Sequence, residues 1–145
     1  MRPSQPRITP LKPNEWSEEQ HDLLKPVIEG KGLARGVLNV FSTLVRHPKL
    51  YKRWSVFATH VLFKSSISPR AREILILRAA HNCGSAYEWG QHVSYAKEVT
   101  NLTDSEIASI KSPTIATHWC EDDALLLAMA DELHTDCCIG NDTWN

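Results

Sequence analysis

The sequence lacks most of the features that place a protein in a class at a glance. No apolar run approaches the ~20 residues of a membrane-spanning helix. Neither sign of charge is in excess: 16 Lys and Arg stand against 17 Asp and Glu, a formal net charge of -1 over 145 residues. Phosphate neutralisation needs a basic face, so no nucleic-acid partner is expected. The first residues, MRPSQPRITPLKP, contain no apolar stretch of the secretory-signal kind. The cysteines Cys83, Cys120, Cys137 and Cys138 include no C-x-x-C pair, which excludes a zinc ribbon or a thioredoxin-type dithiol. Cys137 and Cys138 are adjacent, a spacing that seldom bridges because the ring is strained. Reduced thiols in the cytoplasm are the expectation. No segment alternates with period two for long enough to make a strand. What is abundant is Trp and His, five and seven of them.

Length and pattern together predict one all-α domain over residues 14–145, preceded by an extended arm over 1–13 carrying Pro3, Pro6, Pro10 and Pro13. Ser17 and Gln20 have capping-box spacing and open a helix over 18–28, with Pro26 expected to kink or end it. Gly30, Gly32 and Gly36 mark a loop. A short helix over 38–46 is broken at His47-Pro48, and a longer one over 48–64 carries Leu50, Trp54, Phe57, Val61 and Leu62 on an apolar face. After the break at 65–69, Ser68 caps a helix to about Asn82 that is apolar on several sides, the pattern of a central helix. Gly84 ends it. Ser85 and Glu88 have capping-box spacing at the start of a helix over 86–99, and Thr103 and Glu106 have it at the start of a short helix to about Lys111. The last helix spans 119–134, with acids at its positive end. Trp54 and Trp119 are expected on helical packing faces. The final residues, 140–145, read as a loop and a helix start, so the expectation is a bundle lacking its C-terminal helices.

The chemistry concentrates between Arg70 and His92. Glu88 and His92 stand at i, i+4 on one helix face. A carboxylate beside an imidazole orients it and fixes its tautomer. If Gly84 lets two helices fold back on each other, Glu73 meets the first turns of the second. Glu73, Glu88 and His92 would then form a buried proton-relay set suited to general acid–base chemistry. Plainer readings stand beside this one. Glu88 also fits a cap, His92 a packed core or surface histidine, and Glu73 a surface ion pair with Arg70 or Arg78. Ser85, His81, Tyr87, Arg78 and Cys83 are the candidates for lining a substrate pocket. No metal set is indicated.

The ordered set Asn39-Val40-Phe41, His47-Pro48-x-Leu50, Trp54, Ser68-Pro69-Arg70-x-Arg72-Glu73-x-x-Ile76-Leu77-Arg78, Tyr87-Glu88-Trp89-x-x-His92-Val93 and Leu102-Thr103-x-x-Glu106-Ile107 resembles the carboxymuconolactone decarboxylase family, within the alkylhydroperoxidase D-like superfamily. The redox branch of that superfamily carries Glu-x11-Cys-x2-Cys-x3-His. Here Glu73 and His92 occupy its ends, but Ser85 and Glu88 occupy the cysteine places. A serine and a carboxylate cannot cycle between dithiol and disulfide. Cys83 lies two residues early and has no partner at that spacing.

The resemblance implies an all-helical homo-oligomer, a trimer or hexamer, with no cofactor and a small-molecule substrate. The family decarboxylase removes carbon dioxide from a carboxylated γ-lactone. The resemblance therefore implies a cofactor-free acid–base enzyme, a carboxy-lyase or proton-transfer catalyst, with His92 as the acid, Glu88 orienting it and Glu73 as a second relay member. An arginine is expected to hold the substrate carboxylate, with Arg35, Arg46 and Arg78 as candidates. Two alternatives remain: a peroxidase or thiol redox protein working through Cys83, alone or with Cys120, at a helix N-terminus that favours a thiolate, and a shortened, non-catalytic member acting in assembly or binding.

Overall fold

The computed structural model describes residues 5–29 and 36–145. Every regular element among them is helical. The chain divides into two compact units, meeting at Ser65 and Ser66. Gly30, Gly32 and Arg35 lie outside the described residues.

In the first unit, an extended segment leads to a 3-10 turn at Pro13–Glu15, then α1 (Glu18–Glu29), α2 (Asn39–Leu44) and α3 (Pro48–Phe63). The arm is docked: Leu11 N–H donates to Ser42 O at 3.1 Å, and Arg46 Nε donates to Thr9 O at 2.8 Å. The box at Ser17 forms, with Ser17 N–H on Gln20 Oε1 at 2.9 Å. The same Gln20 amide donates to Val45 O at 3.2 Å, so one residue caps a helix and pins a turn. Pro26 does not end α1, which continues to Glu29. The proline removes only one donor close to the helix end, and both Pro26 and Asp22, whose carbonyl loses its partner, are exposed to water. His47 does more than break a helix. Its Nδ1 accepts from Leu50 N–H at 3.1 Å, making it the N-cap of α3. Leu24, Val45 and Tyr51 form the core, with Trp54 half-buried against them. The expected apolar face of α3 is only partly used: Leu50, Phe57 and Val61 are exposed, as are Val56 and Phe63.

The second unit holds α4 (Pro69–Asn82), α5 (Ala86–Val99), α6 (Asp104–Ser109), α7 (Glu121–Thr135) and a final turn, α8 (Asn141–Trp144). Helix α4 is central, packing on α5 and α7. Its Ile74 and Leu77 sit in a core completed by Ala96, Leu102, Ile107, Ile110, Trp119 and Leu127. Ser68 caps α4 as expected, accepting from Ala71 N–H at 3.1 Å. At its other end Gly84 takes φ +58°, while Ser85 N–H donates to Ala80 O and Gly84 N–H to His81 O, both at 2.8 Å. That is a Schellman closure, and it turns the chain from α4 into α5. The box at Thr103 and Glu106 forms. Trp119 is buried but precedes α7 instead of lying on it. The sequence-predicted helix start after Gly140 is a single turn, α8, held to α7 by Gly140 N–H and the Thr143 hydroxyl, both donating to Glu132.

Two arginines tie α4 to α7. Arg70 donates from Nε and Nη2 to Asp123 Oδ2 at 3.0 and 2.8 Å, and also to Glu106. Eight residues on in each helix, Arg78 makes a bidentate pair with Asp131, both bonds 2.6 Å. The matched spacing means that α4 and α7 run in the same direction. Arg78 Nη1 also donates to the carbonyls of Ile110 and Ser112.

Candidate functional site

Glu73 is the deepest ionisable group of α4, with 0 % exposure. A bare carboxylate there would be prohibitively costly, so each oxygen needs a partner. Arg72 Nε reaches Oε1 at 3.0 Å, and His92 Nδ1 stands 2.8 Å from Oε2. The α4–α5 turn at Gly84 makes this second contact possible by folding α5 back along α4. Glu73 thus does not pair with Arg70 or Arg78, whose guanidinium groups are taken by carboxylates of α6 and α7. Against an ionised carboxylate, which only accepts, this contact requires the proton on Nδ1 of His92, and Nε2 is the nitrogen turned toward Glu88.

Glu88 lies at that outward end, with Oε1 3.4 Å from His92 Nε2. This is an ion-pair distance longer than an ordinary hydrogen bond. The capping box expected at Ser85 and Glu88 does not form. Ser85 takes φ -89° and ψ 88° and makes no side-chain cap, while the Glu88 carboxylate lies beside His92. Nor is the set buried throughout, since the Glu88 side chain is 46 % exposed against 16 % for His92. The orienting contact is therefore made by Glu73, with Glu88 on the solvent side.

The other predicted residues scatter. Arg78 is buried in its clasp with Asp131, its guanidinium occupied by that carboxylate and two backbone carbonyls. The Arg78 hydrogen bonds hold the Asp131 carboxyl below its ordinary range, against the smaller opposing effect of burial. Cys83 is exposed and is the C-cap of α4, so it sits at the negative end of that helix and not at a helix N-terminus. Its Sγ lies 4.0 Å from His134 Nδ1. Tyr87 is exposed. His81 and Ser85 line a cleft of about 260 Å³ at the α4–α5 turn, together with Trp89 and Lys111. Lys111 Nζ stands 4.3 Å from the Trp89 ring centroid, and His81 meets the same ring edge-on at 6.3 Å.

Arg72, Trp89, Tyr95 and Lys111 are absent from the sequence-derived candidates. Arg72 also lies over the Tyr95 ring at 5.8 Å, and Tyr95 meets His92 edge-on. Helical spacing does not reveal the Arg72–Glu73 bond, because neighbours in sequence do not share a helix face. The only signal for Trp89 was its place inside Tyr87-Glu88-Trp89. Lys111 gave none, because it follows α6 and reaches the cleft only through the fold.

The profile of the Carboxymuconolactone decarboxylase family matches residues 48–131, more than half of the chain. This chain belongs to that family. The match takes in α3, α4, α5 and α6 and ends at Asp131, the residue clasped by Arg78. No curated protein and no solved structure matches the chain. Between Glu73 and His92 the chain carries Cys83, Ser85 and Glu88 and no Cys-x-x-Cys pair. Among the described residues no cluster of three or more His, Cys, Asp or Glu is placed to hold a metal ion, and no helix is long and apolar enough to cross a membrane.

Proposed function

We propose that this protein is a cofactor-free acid–base enzyme acting on a carboxylated lactone or a similar cyclic acid. One observation carries the reading: a fully buried carboxylate, Glu73, lies 2.8 Å from His92 Nδ1 and leaves Nε2 at the open end. That arrangement fixes the orientation of an imidazole, which is what a positioned proton donor needs. In a decarboxylation, the bond between the ring and the substrate carboxylate breaks and carbon dioxide leaves. The electron pair stays on the ring as a dienolate. His92 Nε2 delivers its proton to carbon and is recharged from solvent through Glu88. The sum is one substrate carboxylate and one proton giving carbon dioxide and a neutral lactone with a new C–H bond.

A second copy of the chain is the proposed partner, in a trimer or hexamer. The exposed Val56, Phe57 and Phe63 of α3 support this, since such a stripe is costly in water. A reducing cytoplasmic setting suits the four cysteines, which are all unbridged.

The test is carbon dioxide release from carboxylated γ-lactones by the wild type and by His92→Asn. Turnover lost in the variant, with helicity and oligomer mass unchanged, supports the reading. Equal turnover in both, or none in the folded wild type with any carboxylated lactone, overturns it.

A further inference from the structure

The cleft at the α4–α5 turn has a chemistry of its own. Ala80 and Ala86 are small, and the polar or aromatic lining comes from His81, Ser85, Trp89 and Lys111. None of the lining side chains is acidic. The Lys111 ammonium stands over the Trp89 face at 4.3 Å, so a cation is held at an aromatic wall with no carboxylate among its cleft neighbours. His81 adds an imidazole on the edge of the same ring. The volume, about 260 Å³, is room enough for one small ring.

The arginines expected to hold a substrate carboxylate are placed otherwise. Arg78 is clasped by Asp131, and Arg46 is bonded to Thr9 in the other unit. Arg35 lies outside the described residues. We infer that this cleft binds the carboxylate of a small, flat organic acid, with Lys111 as its counter-ion and Trp89 as the aromatic wall beside the bound ring. A planar ring gains from contact with the edge of an aromatic wall, and its carboxylate gains a charge-assisted bond from the ammonium. Ser85 and Trp89 share one strip of α5, and Glu88 and His92 share the next. The inference rests on the acid–base reading only for what then happens to the bound acid. Binding itself does not depend on it.

The test is titration of 15N-labelled protein with benzoate and with benzyl alcohol, following the Trp89 indole N–H, which is assigned by its loss in Trp89→Phe. Benzoate is expected to shift that resonance saturably. Lys111→Met, which keeps the stem on the ring and removes the charge, should weaken benzoate tenfold or more, the effect of losing one charge-assisted contact. Lys111→Arg should stay within a few-fold of the wild type, and benzyl alcohol should bind weakly to all three. The inference is overturned by a wild type whose Trp89 signal ignores benzoate, or by Lys111→Met binding benzoate as well as the wild type. The spectra also show whether each variant is folded. Lys111-dependent benzoate binding without carbon dioxide release from any lactone would leave this inference standing and defeat the acid–base reading. Lactone turnover unaffected by Lys111→Met, with no benzoate response, would do the reverse.

Discussion

Helix α4 carries two polar networks that differ in what they leave open. Toward α7, Arg70 and Arg78 are closed: each guanidinium is occupied by carboxylates, with further bonds to Asn101 from one and to two backbone carbonyls from the other. Toward α5, the Glu73–His92 pair is closed at one end and open at the other. An arginine keeps its charge at any ordinary pH, so the first network is built to hold. A histidine ring has two nitrogens, so the second network runs on from buried Glu73 to the half-exposed Glu88. Buried charge by itself does not mark a site.

Breaking each network should separate these roles. The largest stability effect is expected from Arg78→Met. It leaves Asp131 without its main partner and frees two carbonyls, which should cost about 3–5 kcal/mol in urea unfolding. A loss under 1 kcal/mol would mean that the clasp is not what joins α4 to α7. His92→Asn, whose amide can still donate to Glu73 from the place of Nδ1, should instead lower turnover by about 10²–10⁴ while moving the melting temperature little. If both quantities fall together in both variants, the contrast between the networks is false.

Acid sharpens the contrast from the structural side. Burial pushes the Glu106 carboxyl up, but hydrogen bonds from Thr103 and Arg70 outweigh it and hold the group at about 2, against an ordinary 4.5. A depressed folded-state pKa contributes stability that is present above the unfolded value and lost as pH falls through the folded one. Between about pH 4.5 and pH 2 the wild type should therefore lose stability more steeply than Glu106→Gln. Parallel curves for the two would remove Glu106 from the acid response.

The smallest effect tests neither network and serves as a control. Cys137 takes φ +57°, a conformation that favours glycine. Cys137→Gly should stabilise by roughly 0.5–1 kcal/mol and leave turnover unchanged. A destabilised Cys137→Gly would show that the cysteine side chain contributes more than its backbone costs.

Much of this was legible in the chain itself. Helix periods, the caps at Ser17, Ser68 and Thr103, and the turn at Gly84 depend on residues within a few positions of one another. So does the pairing of Glu88 with His92 along one helix. The errors have a common cause. Ser85 and Glu88 have the spacing of a capping box, but His92 stands beside the carboxylate. Arg78 has the charge to bind a substrate, but Asp131 on a distant helix already holds it. Lys111 carries no local signal, because its place over Trp89 follows from how α5 lies near the end of α6. Local spacing determined that α5 would present a carboxylate and an imidazole on one face. The packing of α5 and α7 on α4 decided that Glu73, and not Glu88, would be the buried partner, and which cations were committed and which were left facing a cleft. A buried charge is settled by whichever partner the fold brings within hydrogen-bond reach, and that reach runs across helices far apart in sequence.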